Sequence, residues 1–165
     1  MKFEVTLHYK GESGDIETML RDPDMWRCRA RVAQMEDAAS VSLSTDEHTR
    51  VVTARFELST KDLPVKVPAI VPASVGATFR EAWPGTEGAC RMEITTSGVP
   101  VRVEATSAHR VNADGLARWI TGEVTCALPL VGRRVEQEIV SHLNELAQLE
   151  ARAHALYIAR SSSRS

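Results

Sequence analysis

Apolar residues recur first at every second position. In the opening segment MKFEVTLHYK, Phe3, Val5, Leu7 and Tyr9 alternate with polar neighbours, the period of a strand with one buried face. The same period returns in SVSLS (40–44), RVVTARFELS (50–59), GATFREAWP (76–84), ACRMEITTSG (89–98), VPVRVEATSAHRV (99–111) and from about Ala117 to Leu128. Turn-forming stretches separate these segments: TDEHT after residue 44, Pro84-Gly85, Ser97-Gly98 and NADG at 112–115.

Two stretches follow a helical period instead. Asp15 to Arg21 forms a short helix, after which Asp22-Pro23 supplies an N-cap and a first-turn proline for a second helix through Trp26 to about Met35. Near the C-terminus Val135, Ile139, Leu143, Leu146, Leu149, Ala153 and Leu156 step by three or four, with Glu136, Glu138, Glu145, Glu150 and Arg152 elsewhere. This predicts one long amphipathic helix from about Arg133 to Arg160, roughly 40 Å long. Residues 1–160 read as a single domain and SSSRS, 161–165, as a disordered tail.

The predicted order is thus a strand, two short helices, six strands and a long helix. Consecutive antiparallel strands must cover their apolar face, and the last helix carries the only large apolar stripe left. The pattern predicts an α+β fold in which a curved antiparallel sheet of about seven strands wraps around the C-terminal helix. A helix fills less width than such a concavity offers, so a gap between sheet and helix is a candidate pocket. Apolar residues set among Pro64, Pro68 and Pro72, between Lys61 and Ser74, are expected to form a loop that gates it.

The element order resembles the helix-grip fold of the START, birch-pollen-allergen and polyketide-cyclase superfamily (SRPBCC). DIETMLRDPDMWRCRA, the EAW of Glu81 to Trp83 and LPLVGRRVEQEI resemble a bacterial branch of it designated as a domain of unknown function. The resemblance covers nearly all of the chain. It implies a hydrophobic ligand held between sheet and long helix, with the mouth formed by loops and short helices, and it carries over no catalytic residue.

Composition narrows the partners. The balance of 20 basic against 22 acidic residues and a pI near 6.2 provide no global attraction to nucleic acid or to an anionic membrane surface. No nucleic-acid partner is expected. The N-terminus lacks the apolar run of a signal peptide, and the prolines of LPVKVPAIVP forbid a spanning helix, so no transmembrane segment is expected. Cys28, Cys90 and Cys126 are odd in number and lack metal-ligand spacing. Reduced thiols in a cytoplasm fit them best.

The joint CALPLVGRRVEQEI raises the question of a phosphate-binding loop. It has one glycine and no Lys-Ser/Thr pair, so it reads as a strand-to-helix joint, with Arg133 and Arg134 either a solvated pair or a contact for an acidic headgroup. Arg27 and Arg31 fall one helical turn apart, with Arg29 to the side and Asp22, Asp24, Glu36 and Asp37 nearby, which reads as a solvated face.

Glu81 is the sharpest chemical candidate. Strand parity places it on one face with Phe79 and Trp83, where desolvation would suit it to acid-base work or to a ligand's polar end. The alternative is a carboxylate paired with a neighbouring arginine. His109 shares parity with Val101, Val103 and Ala105, either as hydrogen-bonded structure or as a partner of Glu81, whereas His8, His48, His142 and His154 fall on polar faces or turns. Met19, Trp26, Phe56 and Met92 are pocket-lining candidates or plain core, and Leu143 faces the pocket from the long helix. No metal site and no cofactor are expected, and no nucleophile elbow is present.

Three functions remain open. The first is binding or carrying of a hydrophobic small molecule, such as a lipid, polyketide or isoprenoid. The second is a cyclase or hydratase using Glu81 with Tyr9 or His109 as acid and base. The third is a non-catalytic interaction module whose groove is filled by its own side chains. The oligomeric state is open, a homodimer included.

Overall fold

A computed structural model describes residues 1–46, 49–59, 61, 72–85 and 89–163. His48 and most of the expected gating loop lie outside the described residues. The chain forms β1 (Lys2–Lys10), α1 (Ser13–Leu20), α2 (Pro23–Val32), a 3-10 turn (Glu36–Ala38), β2 (Ala39–Asp46), β3 (Thr49–Ser59), β4 (Ser74–Pro84), β5 (Cys90–Ser97), β6 (Val101–Asn112), β7 (Gly115–Cys126), α3 (Gly132–Ser141) and α4 (Leu143–Ser162). The strands make one seven-stranded sheet in the order β1-β7-β6-β5-β4-β3-β2, antiparallel at every pairing. This is the helix-grip α+β architecture.

Register explains which residues face inward. Tyr9 stands opposite Leu116 and Leu7 opposite Arg118, and His109 stands opposite Arg118. Met92 pairs with Ala105 and with Glu81, and Glu81 with Val52. Directly opposed residues share a face, so one parity runs across the whole sheet. On that face Val5, Leu7, Tyr9, Val52, Ala54, Trp83, Leu116 and Ile120 are buried.

Local chemistry sets the helix ends. The Asp22 carboxylate accepts from the Asp24 N–H at 2.8 Å, capping α2 at Pro23. Gln34, at φ 59°, turns the chain out of α2. The N–H of Met35 then reaches the carbonyl of Ala30 and that of Gln34 the carbonyl of Arg31, a Schellman closure. At the joint before α3, a Cβ on Gly132 would sit 2.3 Å from the Cys126 carbonyl oxygen, so only glycine fits there. The Glu136 carboxylate accepts from the Cys126 N–H at 2.9 Å and ties α3 to β7. The joint is architectural, with Arg133 and Arg134 exposed beside it.

The long helix differs from its expected form. It breaks at His142 into α3 and α4. In an unbroken helix the His142 N–H would bond the Glu138 carbonyl. Here that carbonyl is taken by the Ser141 hydroxyl at 2.7 Å and by His142 Nδ1 at 2.8 Å, while the His142 N–H bonds Ile139 instead. Such side-chain bonds compete with the helical ladder. The expected buried stripe shifts as a result. Ile139 and Leu143 are half-buried and Leu146 is 46% exposed, whereas Glu150, Ala153 and His154 are buried. Helix α4 also continues through Ser161 and Ser162, two residues into the expected tail.

Candidate functional site

Four charged side chains meet under the sheet. Glu81 projects inward from β4 as its parity predicts and is 1% exposed, as is Arg118 from β7. Arg29, on the inner side of α2, and Glu150, on α4, complete the group. Arg29 donates to Glu150 through Nε and a terminal nitrogen, each at 2.7 Å, and approaches Glu81 at 3.4 Å. Arg118 reaches the other Glu81 oxygen at 3.2 Å and anchors its Nε on the Ser107 hydroxyl at 3.0 Å. The Trp26 indole donates to Glu81 at 2.9 Å and the Tyr9 hydroxyl to Glu150 at 2.7 Å.

Two carboxylates and two guanidiniums thus balance, and each of the four carboxylate oxygens accepts at least one hydrogen bond. A buried ion is tolerated when paired and hydrogen-bonded in this way. Burial alone would raise the Glu150 carboxyl, but the Arg29 guanidinium and the bonds from Arg29 and Tyr9 hold it below its ordinary range. Burial, reinforced by the Glu150 charge, drives the Tyr9 phenol well above its ordinary value. The Cys90 thiol, desolvated and close to Glu81, is pushed up to about 12.

Of the three acid-base candidates, the structure links Tyr9 and Glu81 through the Arg29–Glu150 pair and places His109 elsewhere. His109 Nε2 lies 3.1 Å from a carboxylate oxygen of Glu17 on α1. His154 is buried, contrary to its expected polar face, with its ring edge-on to Tyr9 at 5.4 Å. Trp26, Phe56 and Phe79 form one aromatic cluster, with centroids 5.2 to 6.3 Å apart. Met19, on the inner side of α1, and Trp83, on β4, lie in one core cluster.

The sheet's inner face is covered unevenly. Helix α3 packs on β7, α4 on β1 and α2, and α2 on β2 and β3; among the described residues no helix is laid along β5 or β6. Among the inward side chains of those strands Met92, Ile94 and Ala105 are half-buried, with Phe3 and Phe79 beside them, whereas Cys90, Val103 and Ser107 are buried. The charged tetrad meets this apolar strip through the Arg118 contact with Met92 Sδ at 3.5 Å. An open groove of about 980 Å³ lies across the sheet, lined by the outward Arg80, Arg91, Glu93 and Glu104 and also by Phe3, Met92 and Ala105 of the strip.

A family model described as a protein of unknown function (DUF2505) matches residues 4–158. The chain belongs to that family. No curated protein matches this DUF2505 member in sequence. Its structure is similar to that of dicamba monooxygenase bound to 3,6-dichlorosalicylic acid, with 11% identity and a TM-score of 0.59 over 99% of this chain and 51% of that one. The DUF2505 chain therefore spans about half the length of that enzyme's chain. It is similar also to a conserved protein from Geobacillus kaustophilus, with 16% identity and a TM-score of 0.52 over 97% and 95% of the two chains. A STAR-related lipid transfer protein from Xanthomonas axonopodis aligns over 94% of this chain and 84% of its own, at 16% identity and a TM-score of 0.48. For the dicamba monooxygenase and the Geobacillus kaustophilus protein, at these identities, the likeness is one of fold.

The sequence carried a signal for the tetrad that apolar counting passes over. Arg118 shares parity with Leu116 and Ile120, and Glu150 follows Leu143 and Ala147 at helical spacing. A charge at an inward position calls for a partner of opposite sign.

Proposed function

We propose that this protein binds an apolar small molecule along the inner face of β5 and β6. The observation that supports this reading is the strip of Met92, Ile94 and Ala105, half-buried where no helix covers it. Apolar surface that is neither covered nor scattered is a mark of a binding groove. A lipid, polyketide or isoprenoid-like chain fits such a strip. The tetrad that meets it offers no unpaired carboxylate oxygen, so the occupant is apolar at that contact. The acid-base reading loses ground because Glu81 is held between two arginines and His109 is committed to Glu17.

The test is calorimetric titration with dodecanol of the full chain and of two variants. Ile94→Asp places a charge in the strip and should abolish binding, while Val111→Asp, at an exposed position far along β6, should leave it intact. Unchanged binding by Ile94→Asp, with its circular dichroism preserved, would remove the strip from the site.

A further inference from the structure

Trp83 and Arg50 stand directly opposite each other across β3 and β4, on the inner face. They lie beyond the tetrad from the apolar strip, near the end where α1 hands over to α2. Trp83 is 2% exposed, yet among the described residues its indole N–H has no hydrogen-bond partner. Arg50 is half-buried and its Nε is shielded from solvent, and among the described residues that nitrogen has no hydrogen-bond partner and no carboxylate pairs with the guanidinium. Two guanidiniums crowd the same indole, that of Arg118 at 5.0 Å and that of Arg21 at 5.5 Å from the ring centroid.

Buried donors without acceptors are rare in folded proteins, because each forfeits its hydrogen bonds to water. Here two occur on one cross-strand pair, in a corner rich in positive charge. Arg118 is already neutralised by Glu81. A guanidinium offers a planar fork of donors that matches two oxygens of one anion, and an indole N–H adds a third point.

We propose that the Arg50–Trp83 corner is a binding site for a small oxyanion, a carboxylate or a phosphate, distinct from the apolar strip. The anion's oxygens accept from the Arg50 guanidinium and from the Trp83 indole. The surrounding guanidiniums stabilise its charge in a partly desolvated setting. The site stands or falls independently of what the strip binds.

The test reads the three indole N–H signals of Trp26, Trp83 and Trp119 by ¹⁵N–¹H correlation NMR on the full chain. Sodium phosphate or sodium acetate is titrated at ionic strength held constant with sodium chloride. The expected result is a saturable downfield shift of the Trp83 signal alone, with Trp26 unmoved on Glu81. In Arg50→Gln the apparent affinity should fall by about tenfold or more, as loss of a charge-assisted bond implies, while unchanged Trp26 and Trp119 signals report an intact fold. Saturation by acetate alone assigns a carboxylate ligand, by phosphate alone a phosphate, and by either supports the shared chemistry. A Trp83 signal that neither anion moves, or that moves identically in Arg50→Gln, overturns the proposal.

Discussion

Glu150 grips Arg29 with both carboxylate oxygens, through two hydrogen bonds of 2.7 Å that join α4 to α2. The pair lies at the centre of the helix layer, and Arg29 also spans to Glu81 on the sheet. Removing one member of a buried pair leaves the other charge uncompensated, which costs about 3–5 kcal/mol, whereas replacing both with apolar residues is far milder. Arg29→Met should therefore destabilise strongly, and Arg29→Met combined with Glu150→Met should recover part of the loss. Urea unfolding of the two variants checks this. A double variant no more stable than the single one would show that the tetrad is not a coupled unit.

The same pair fixes the direction of the acid response. The Glu150 carboxyl is held below its ordinary value in the fold, so its contribution is fully present above the unfolded carboxylate range, near pH 4.3. It is lost as the pH falls through the lowered folded value. Burial likewise lowers the His154 imidazole, so protonation in the unfolded chain draws stability away as the pH drops below about 6.5. Urea midpoints measured from pH 7 to pH 4 should fall steadily. In His154→Phe the upper part of that fall, just below pH 6.5, should flatten. An unaltered slope in that variant would mean that His154 titrates alike in both states.

Much of this was legible in the chain. Alternation in RVVTARFELS, GATFREAWP and ACRMEITTSG locates the strands and puts Phe79, Glu81 and Trp83 on one face, because register is strict where one face is buried. The helix break was less so, since Ser141 and His142 keep the apolar spacing and act through bonds to one carbonyl. The partners of Glu81 come from α2 and β7 and meet only in the tertiary fold. Arg29 reads as solvated in sequence because it stands among Arg27, Arg31 and nearby acidic residues; Arg27 and Arg31 are indeed exposed, yet a helix has room for one inward arginine among outward ones. The same tertiary pairing decides between the two readings of Glu81 in favour of a carboxylate paired with arginine.

Gly115 couples the β6–β7 turn to Tyr9. It sits at φ 149°, and a Cβ there would stand 2.0 Å from the Tyr9 carbonyl oxygen. Gly115→Ala must push β1 away from β7 or distort the turn, and both displace Tyr9 from Glu150. A loss of about 1–3 kcal/mol is expected. Thermal unfolding measures it, and a variant as stable as the parent would contradict the tight approach.

The central claim is that the uncovered inner strip of β5 and β6 is where an apolar molecule binds. It is tested most directly by methyl NMR on protein labelled at the isoleucine δ1 carbons, titrated with dodecanol. Ile94 lies on the strip, whereas Ile16 is buried on the inner side of α1 and Ile158 is exposed near the end of α4. The account predicts a saturable shift at Ile94, with Ile16 and Ile158 unchanged. Saturable binding that leaves the Ile94 methyl unmoved would contradict it.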